Sequence, residues 1–176
     1  MDKLTITPAT HEDIAPLHTL IEGAYRGDSA RRGWTHEADL LDGQRTDPAA
    51  LAAMIADPAQ RILVARDGLA MAGCVAVTNL GDGTCYLGLV TVDPDRQAGG
   101  LGRQLITAAE GLARDLFGAR QMEMTVIVQR EALIAWYERR GYRQTGERRP
   151  FPYGNLRFGV PRDETLAFVV LARDLA

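Results

Sequence analysis

Lysine and serine are almost absent from this 176-residue chain, which contains one of each, Lys3 and Ser29. A P-loop requires Gly-Lys followed by Ser or Thr, and Lys3 is far from every glycine cluster, so phosphoryl transfer of that type is excluded. A serine hydrolase places its nucleophile at a strand-to-helix elbow. Ser29 instead follows a predicted helix, within Gly27-Asp28-Ser29, and this disfavours a hydrolase.

Cysteine and histidine are also scarce. Cys74 and Cys85 lie in apolar, strand-like segments and form no Cys-x-x-Cys motif. The three histidines, His11, His18 and His36, all fall in the first quarter of the chain. No spacing typical of metal ligands connects these residues. We therefore predict two buried thiols and no metal site.

Long apolar runs and an excess of one charge are missing as well. No segment approaches the ~20 apolar residues of a membrane span, and the N-terminus has no basic region followed by a hydrophobic segment. The net charge of −3 gives no electrostatic reason to expect nucleic-acid binding. We expect a cytoplasmic protein without a membrane or nucleic-acid partner. A hydrophobic content of 46% is enough for one core, so residues 1–176 are predicted to form a single domain.

Apolar periodicity and turn signals predict strands and helices that alternate along the chain. Thr10 and Asp47 are suited to cap two early helices, because each precedes an apolar run with helical spacing. Residues 26–47 have no clear period and are predicted as a loop with at most one helical turn. Later helices are predicted over residues 101–116, with Gly118 as the C-cap, and 131–140; the predicted strands cover residues 4–6, 61–65, 71–80, 84–92, 122–128, 142–147 and 166–171.

This order of elements predicts the fold class. The strand over residues 122–128 is most simply parallel to the strand over 84–92, because a helix connects them. The three strands before that helix follow one another through tight turns and are expected to be antiparallel. The chain is therefore predicted to be an α/β protein with a central mixed, mostly antiparallel, twisted sheet of about six to seven strands, flanked by helices.

The most informative segment runs from Val90 to Arg103, where a strand ends at Asp93-Pro94 and a glycine-rich turn leads into a helix. Backbone N–H groups at a helix N-terminus lack intrahelical partners and lie at the positive end of the helix dipole, so they can hold a phosphate. Glycines without a Cβ let a ligand approach the main chain. The segment therefore indicates a phosphate-bearing cofactor.

Two cofactor motifs compete for this segment. A dinucleotide fingerprint needs a third glycine in register, which is missing after Gly100 and Gly102. It also needs an acidic residue about 20 residues further along the chain, and Glu123 lies at about that distance. The spacing Gln97-x-x-Gly100-x-Gly102 fits better, and it resembles the acetyl-CoA-binding motif of the GNAT superfamily of N-acetyltransferases. A second signature of that superfamily follows downstream, where Tyr137 precedes Gly141-Tyr142 by four residues.

The resemblance implies a reaction and a set of residues. It implies acetyl-CoA as the acyl donor and a small-molecule or peptide amine as the acceptor. Tyr137 would act as the general acid that protonates the CoA sulfur. Main-chain groups of the strand would bind the pantetheine arm and the loop would wrap the pyrophosphate; the implied cofactor-binding residues are Val90, Thr91, Val92, Gln97, Ala98, Gly99, Gly100, Leu101, Gly102 and Arg103.

The chain departs from the superfamily pattern at three places. Arg130 stands where many members have an asparagine seven residues before the tyrosine, and Leu133 stands where many have an alanine. The strand segment Tyr86-Leu87-Gly88-Leu89 contains no glutamate. Glu123 lies on the next strand, where we expect a water-exposed edge carboxylate, so no general base is assigned.

The acceptor site is expected between the first helices and the aromatic loop near the C-terminus. Its candidate residues are Tyr25, Trp34, Glu37, Asp39, Phe151 and Tyr153. An acidic and aromatic lining of this kind would suit a small cationic amine. Two alternatives stay open: the chain is a monomer or a homodimer, and it is either an N-acetyltransferase or a non-catalytic acetyl-CoA-binding sensor or interaction module.

Overall fold

A seven-stranded mixed sheet with the strand order β1-β3-β4-β5-β6-β9-β7 forms the centre of the computed structural model. The structure describes residues 3–33, 36–155 and 159–175, without the side chains of Asp28 and Ala98. The strands are β1 (Thr5–Pro8), β2 (Leu41–Asp42), β3 (Gln60–Asp67), β4 (Ala70–Asn79), β5 (Thr84–Val92), β6 (Gln121–Ile127), β7 (Arg143–Pro150), β8 (Val160–Pro161) and β9 (Ala167–Asp174). The helices are α1 (Ile14–Tyr25), α2 (Gly27–Ala30), α3 (Pro48–Ala56), α4 (Leu101–Phe117) and α5 (Glu131–Glu138).

The strand directions agree with the prediction from the connections. β5 and β6 are parallel, and the other neighbouring pairs of the large sheet are antiparallel. The fold class predicted from the sequence is therefore confirmed. The short pair formed by β2 and β8 was not predicted, because two-residue strands leave no alternation to recognise.

Helices cover both faces of the sheet. On one face α4 buries Leu105, Ala109 and Ala113, and on the other face α1 buries Leu17 and Ile21. Both predicted thiols are buried in the sheet. Among the described residues, no helix is both long and apolar enough to cross a membrane.

Local chemistry explains where the helices begin and end. Asp47 caps α3 by accepting a hydrogen bond from the amide of Ala50 at 2.7 Å, and Pro48 occupies the first helical position. Gly118 ends α4 in the left-handed conformation, with φ of +62°. Leu116, in the last turn of α4, is 51% exposed although it shares the helix face of the buried Leu105 and Ala109.

A β-bulge deforms β5 just before the glycine-rich turn. The pairing with β4 shifts between Cys74, opposite Thr91, and Ala76, opposite Gly88. Leu89 has a φ of +50°, and its carbonyl accepts a hydrogen bond from the Thr91 hydroxyl at 2.8 Å. An extra residue bends its strand and turns the following side chains.

Beyond its first three residues, β5 separates from β6. The two strands pair over Thr84–Tyr86 and Gln121–Glu123, and each continues without its partner from there. β6 remains paired with β9 along its whole length. The separation opens a gap within the sheet between the bulged end of β5 and the end of β6.

Candidate active site

The glycine-rich turn exposes its main chain at the start of α4. A 3-10 turn over Pro94–Gly99 leads to Gly100, which has a φ of +73°. A Cβ at Gly99 or Gly100 would have no atom within 4 Å, so open space borders the backbone there. The first amides of α4 have no intrahelical acceptor. The turn therefore has the geometry of a main-chain anion site and fits a pyrophosphate.

Side chains around this turn hold its shape. Asp93 accepts a hydrogen bond from the amide of Asp95 at 3.0 Å, and Arg96 forms an ion pair with Asp67 at 2.8 Å. A Cβ on Gly102 would lie 3.4 Å from the indole ring of Trp136. The glycine thus lets the beginning of α4 approach α5.

Two cavities meet beside this turn. The narrow cavity, of about 70 Å³, lies against the end of β5 and the start of α4. The wide cavity, of about 600 Å³, fills the gap between β5 and β6. Both cavities are lined by Tyr25, Val90, Arg130, Leu133 and Tyr137.

Tyr137 is buried where the two cavities join. Its ring packs edge-on against Trp136 at 5.0 Å and against Tyr142 at 6.0 Å between centroids. Burial raises the pKa of the Tyr137 hydroxyl above its ordinary value, and this outweighs the opposing effect of Arg130. The hydroxyl forms no hydrogen bond within the part of the chain that the structure describes, and it stays protonated at neutral pH.

Tyr25 connects α1 to the bulge in β5. Its hydroxyl donates a hydrogen bond to the carbonyl oxygen of Val90 at 2.6 Å. The guanidinium groups of Arg45 and Arg130 lie 5.1 Å and 6.0 Å from the centre of its ring. Tyr25 therefore hydrogen-bonds one carbonyl group of β5 and forms cation–π contacts with both guanidinium groups.

Glu37 is a buried carboxylate held between two arginines. It forms ion pairs with Arg26 and, at 3.1 Å, with Arg130. Burial raises the pKa of Glu37, but the positive charges of Arg130, Arg45 and Arg26 lower it by more, so the pKa lies below its ordinary value. Glu37 is therefore ionised and paired, and it is a poor proton acceptor.

The family model for the Acetyltransferase (GNAT) family matches residues 24–142, more than half of the chain. The chain belongs to the GNAT acetyltransferase family. This family uses acetyl-CoA as its acyl donor. None of the curated proteins is significantly similar to this GNAT chain in sequence.

Solved structures share the fold of this GNAT chain at low sequence identity. The ribosomal-protein-S18-alanine N-acetyltransferase from Escherichia coli is 17% identical, with a TM-score of 0.72 over 99% of this chain and 95% of its own. The yncA protein from Salmonella typhimurium, solved with its cofactor acetyl-CoA, is 20% identical, with a TM-score of 0.71 over 99% and 95%. A mutant of the spermidine N-acetyltransferase SpeG from Vibrio cholerae is 16% identical, with a TM-score of 0.69 over 98% and 94%.

The residues predicted to bind the cofactor border the narrow cavity or the turn above it. Val90, Thr91, Val92, Gln97 and Gly102 line the narrow cavity. The main chain from Gly99 to Arg103 forms the open turn and the first residues of α4, whereas the side chain of Ala98 lies outside the described part of this GNAT chain. The contacts of these residues with acetyl-CoA stay predictions.

The departures from the family pattern have structural partners. Arg130 precedes α5 and forms an ion pair with Glu37. Arg130 and Leu133 both line the two cavities. Glu123 was expected to be an exposed edge carboxylate, which is wrong, because β6 lies inside the sheet. Its side chain is 17% exposed and forms an ion pair with Arg149 at 3.2 Å.

The structure brings together only part of the predicted acceptor site of this GNAT protein. Tyr25, Glu37 and Phe151 line the wide cavity. Asp39 is exposed and paired with Arg31, and it is not part of the lining. The other two candidates lie elsewhere: Tyr153 is exposed, with its hydroxyl donating to the carbonyl of Asp163 at 2.8 Å, and Trp34 lies outside the described residues.

The expected acidic lining is therefore not formed by the described residues. Glu37 is neutralised by its arginine partners, and Arg45 adds positive charge to the same wall, whereas Arg149 on the opposite wall is paired with Glu123 and Glu147. Arg45 lies in the segment without periodicity, so no spacing could have placed it in the cavity. Among the described residues, no cluster of three or more His, Cys, Asp or Glu side chains is arranged to hold a metal ion.

Proposed function

We propose that this chain, as one acetyltransferase-like domain over residues 1–176, moves an acetyl group from acetyl-CoA directly to a primary amine of a small molecule or peptide. The observation that carries the proposal is the junction of the two cavities at Tyr137. One cavity borders the anion-binding turn and the other opens into the split sheet. A donor and an acceptor that enter from these two sides would meet beside one buried hydroxyl group.

The donor would be held mainly by the main chain. In this proposal, Val90, Thr91 and Val92 bind the pantetheine arm through the strand backbone, and the amides from Gly99 to Arg103 bind the pyrophosphate; their places beside the narrow cavity and at the start of α4 support this. The bulge at Leu89 supports this arrangement, because it turns the end of β5 away from its regular pairing. Acetyl-CoA supplies the thioester that the amine attacks and the sulfur that leaves.

Tyr137 supplies the proton in this proposal. The C–S bond breaks as the new C–N bond forms, and the leaving sulfur takes a proton from the Tyr137 hydroxyl. The raised pKa keeps that hydroxyl protonated beforehand. A proton lost by the amine can return to Tyr137 through water, which balances the reaction.

The acceptor must react as a neutral amine, although a free alkyl amine with a pKa of about 10.4 is mostly charged at pH 7. Glu37 is already paired with two arginines and is unsuited to accept the proton. The positive wall of the wide cavity disfavours an ammonium ion beside it. We assign deprotonation to water, helped by this electrostatic field.

Amine-dependent turnover of acetyl-CoA tests the proposal. The protein is incubated with acetyl-CoA and a broad panel of primary amines, and free CoA thiol and acetylated amine are measured together. We expect both products in equal amounts with at least one amine. Tight binding of acetyl-CoA with no amine-dependent CoA release across the panel would instead support the alternative, a non-catalytic acetyl-CoA-binding module.

A further inference from the structure

The wide cavity contains a positive charge that the described part of the chain does not neutralise. On one wall, Arg26 and Arg130 share the single carboxylate of Glu37. Arg45 lines the same wall. Arg26 and Arg130 are thus paired, whereas Arg45 forms no ion pair with a described residue, and a cation removed from bulk water is costly unless an anion accompanies it.

Arg45 is the cation of this wall without a carboxylate partner. Its side chain is half-buried and forms no ion pair or hydrogen bond with a described residue, and its guanidinium lies 5.1 Å from the ring centre of Tyr25. Its backbone is fixed instead, because the amides of Arg45 and Thr46 donate to Glu22 at 2.7 Å and 2.8 Å. A rigid backbone therefore presents an uncompensated guanidinium to the cavity.

The opposite wall does not contribute to this excess. Arg149 also lines the cavity, but it forms ion pairs with Glu123 at 3.2 Å and with Glu147 at 3.0 Å. The charge without a carboxylate partner among the described residues is thus that of Arg45. A polycationic amine would be repelled there, because like charges placed together in a binding site disfavour that ligand.

We propose that the acceptor is an amine that also carries an anionic group, a carboxylate or a phosphate, which the guanidinium of Arg45 binds beside Arg130. This proposal rests on the acetyl transfer proposed above and names the class of its acceptor. The planar fork of a guanidinium matches both anions. Tyr137 and Arg45 line one cavity of about 600 Å³, a volume that suits a small molecule with both groups.

The rest of the lining accepts the carbon skeleton of such a molecule. Met54, Phe151 and Phe168 contribute apolar surface to the wide cavity. Contact with these side chains would hold the acceptor between its two polar ends. α-Amino acids and aminoalkyl phosphates combine all three features, and the two kinds of anion can be distinguished by experiment.

Matched pairs of amines test the proposal. Each α-amino acid is compared with the amine left after removal of its carboxylate, and each aminoalkyl phosphate with its amino alcohol, by kcat/KM with acetyl-CoA. We expect a preference of at least about 10-fold for the anionic member in one of the two series, as for one charge-assisted hydrogen bond. The series that shows it identifies the anion.

The variant Arg45→Gln shows whether the preference depends on this guanidinium. We expect kcat/KM for the anionic member to fall by about 10- to 100-fold more than that for the uncharged partner, because the charge of Arg45 also contributes to the field that helps to deprotonate both amines. Arg148→Gln is the matched control, since Arg148 is exposed on β7, outside both cavities, and the change in net charge is identical. Equal use of both members by the wild type, or an equal loss for both in Arg45→Gln, would overturn the proposal.

Binding measurements separate this proposal from the proposed activity. Calorimetric titration of the same pairs into the CoA-bound protein measures affinity without turnover. Tighter binding of the anionic member without CoA release would contradict acetyl transfer but support the anion site. Acetylation of uncharged amines alone would support the transfer and contradict the anion site.

Discussion

The Tyr137 hydroxyl is suited to donate a proton because of what surrounds it. Its ring is fixed between Trp136 and Tyr142, and its position is shared by the two cavities. Burial raises its pKa, so it remains the acid form across the neutral range. This setting is compatible with the proton transfer proposed above.

Replacement of Tyr137 by Phe removes the proposed acid and keeps the ring. General acids contribute about 100- to 10,000-fold to rate, so we expect kcat to fall by about 100-fold or more in Tyr137→Phe, with the Kd for acetyl-CoA nearly unchanged. The rate of CoA release at saturating amine measures this. Tyr142→Phe is the control, because it removes a neighbouring buried hydroxyl that donates to Glu110 at 2.9 Å outside both cavities. An unchanged kcat in Tyr137→Phe would remove this residue from the mechanism.

Elements whose position depends on nearby proline and glycine residues were predicted from the sequence. Features that depend on contacts between residues distant in the chain were not. The strand, turn and helix from β5 to α4 follow from Pro94 and the glycines, whose backbone preferences act within a few residues. The early separation of β5 from β6 has no local signal, because it depends on which strands pair. For the same reason the charge of the wide cavity was not predicted: Arg45 is held by Glu22, which lies 23 residues earlier in the chain.

Gly100 is the position where the turn depends on a single residue. Its φ of +73° disfavours alanine by about 1–2 kcal/mol, although a Cβ there would meet no atom within 4 Å. We expect Gly100→Ala to lower the free energy of unfolding by about 1 kcal/mol and to weaken acetyl-CoA binding several-fold, since the Cβ projects into the open space of the anion site. Urea denaturation and calorimetry measure the two effects.

Gly111 gives a matched control on the same helix. A Cβ at Gly111 also meets no atom within 4 Å, but this residue lies inside α4 and has no positive φ. Gly111→Ala should therefore raise the free energy of unfolding by about 0.5–1 kcal/mol and leave the Kd for acetyl-CoA unchanged. Identical acetyl-CoA affinities in the two variants would contradict the role of the turn.

At the scale of the whole molecule, carboxylates connect elements that are distant in sequence. Asp13, just before α1, forms an ion pair with Arg66 on β3. Glu37 connects Arg26, at the end of α1, to Arg130, just before α5. The pairs of Glu37 connect residues that line the wide cavity, and all of these pairs require ionised carboxylates.

The free energy of unfolding should therefore decrease at acidic pH. Burial raises the pKa of Asp13, but hydrogen bonds from Thr10 and Arg66 lower it by more, and the pKa of Glu37 is lowered by its arginines. Both carboxyl groups bind protons less readily in the folded chain than in the unfolded chain. Their contribution to stability is complete above the ordinary values of 3.8 and 4.5 and is lost as the pH falls through the lower, folded values.

We expect the free energy of unfolding, measured with urea, to change little between about pH 7 and pH 5 and to decline progressively below that range. Asp13→Asn should have a lower free energy of unfolding at neutral pH and a shallower decline in acid, because it has no charge there to lose. Asp115→Asn is the control, since Asp115 is exposed on α4 and forms no ion pair with a described residue. A decline in Asp13→Asn as steep as that of the wild type would show that the ion pair with Arg66 does not cause the acid sensitivity.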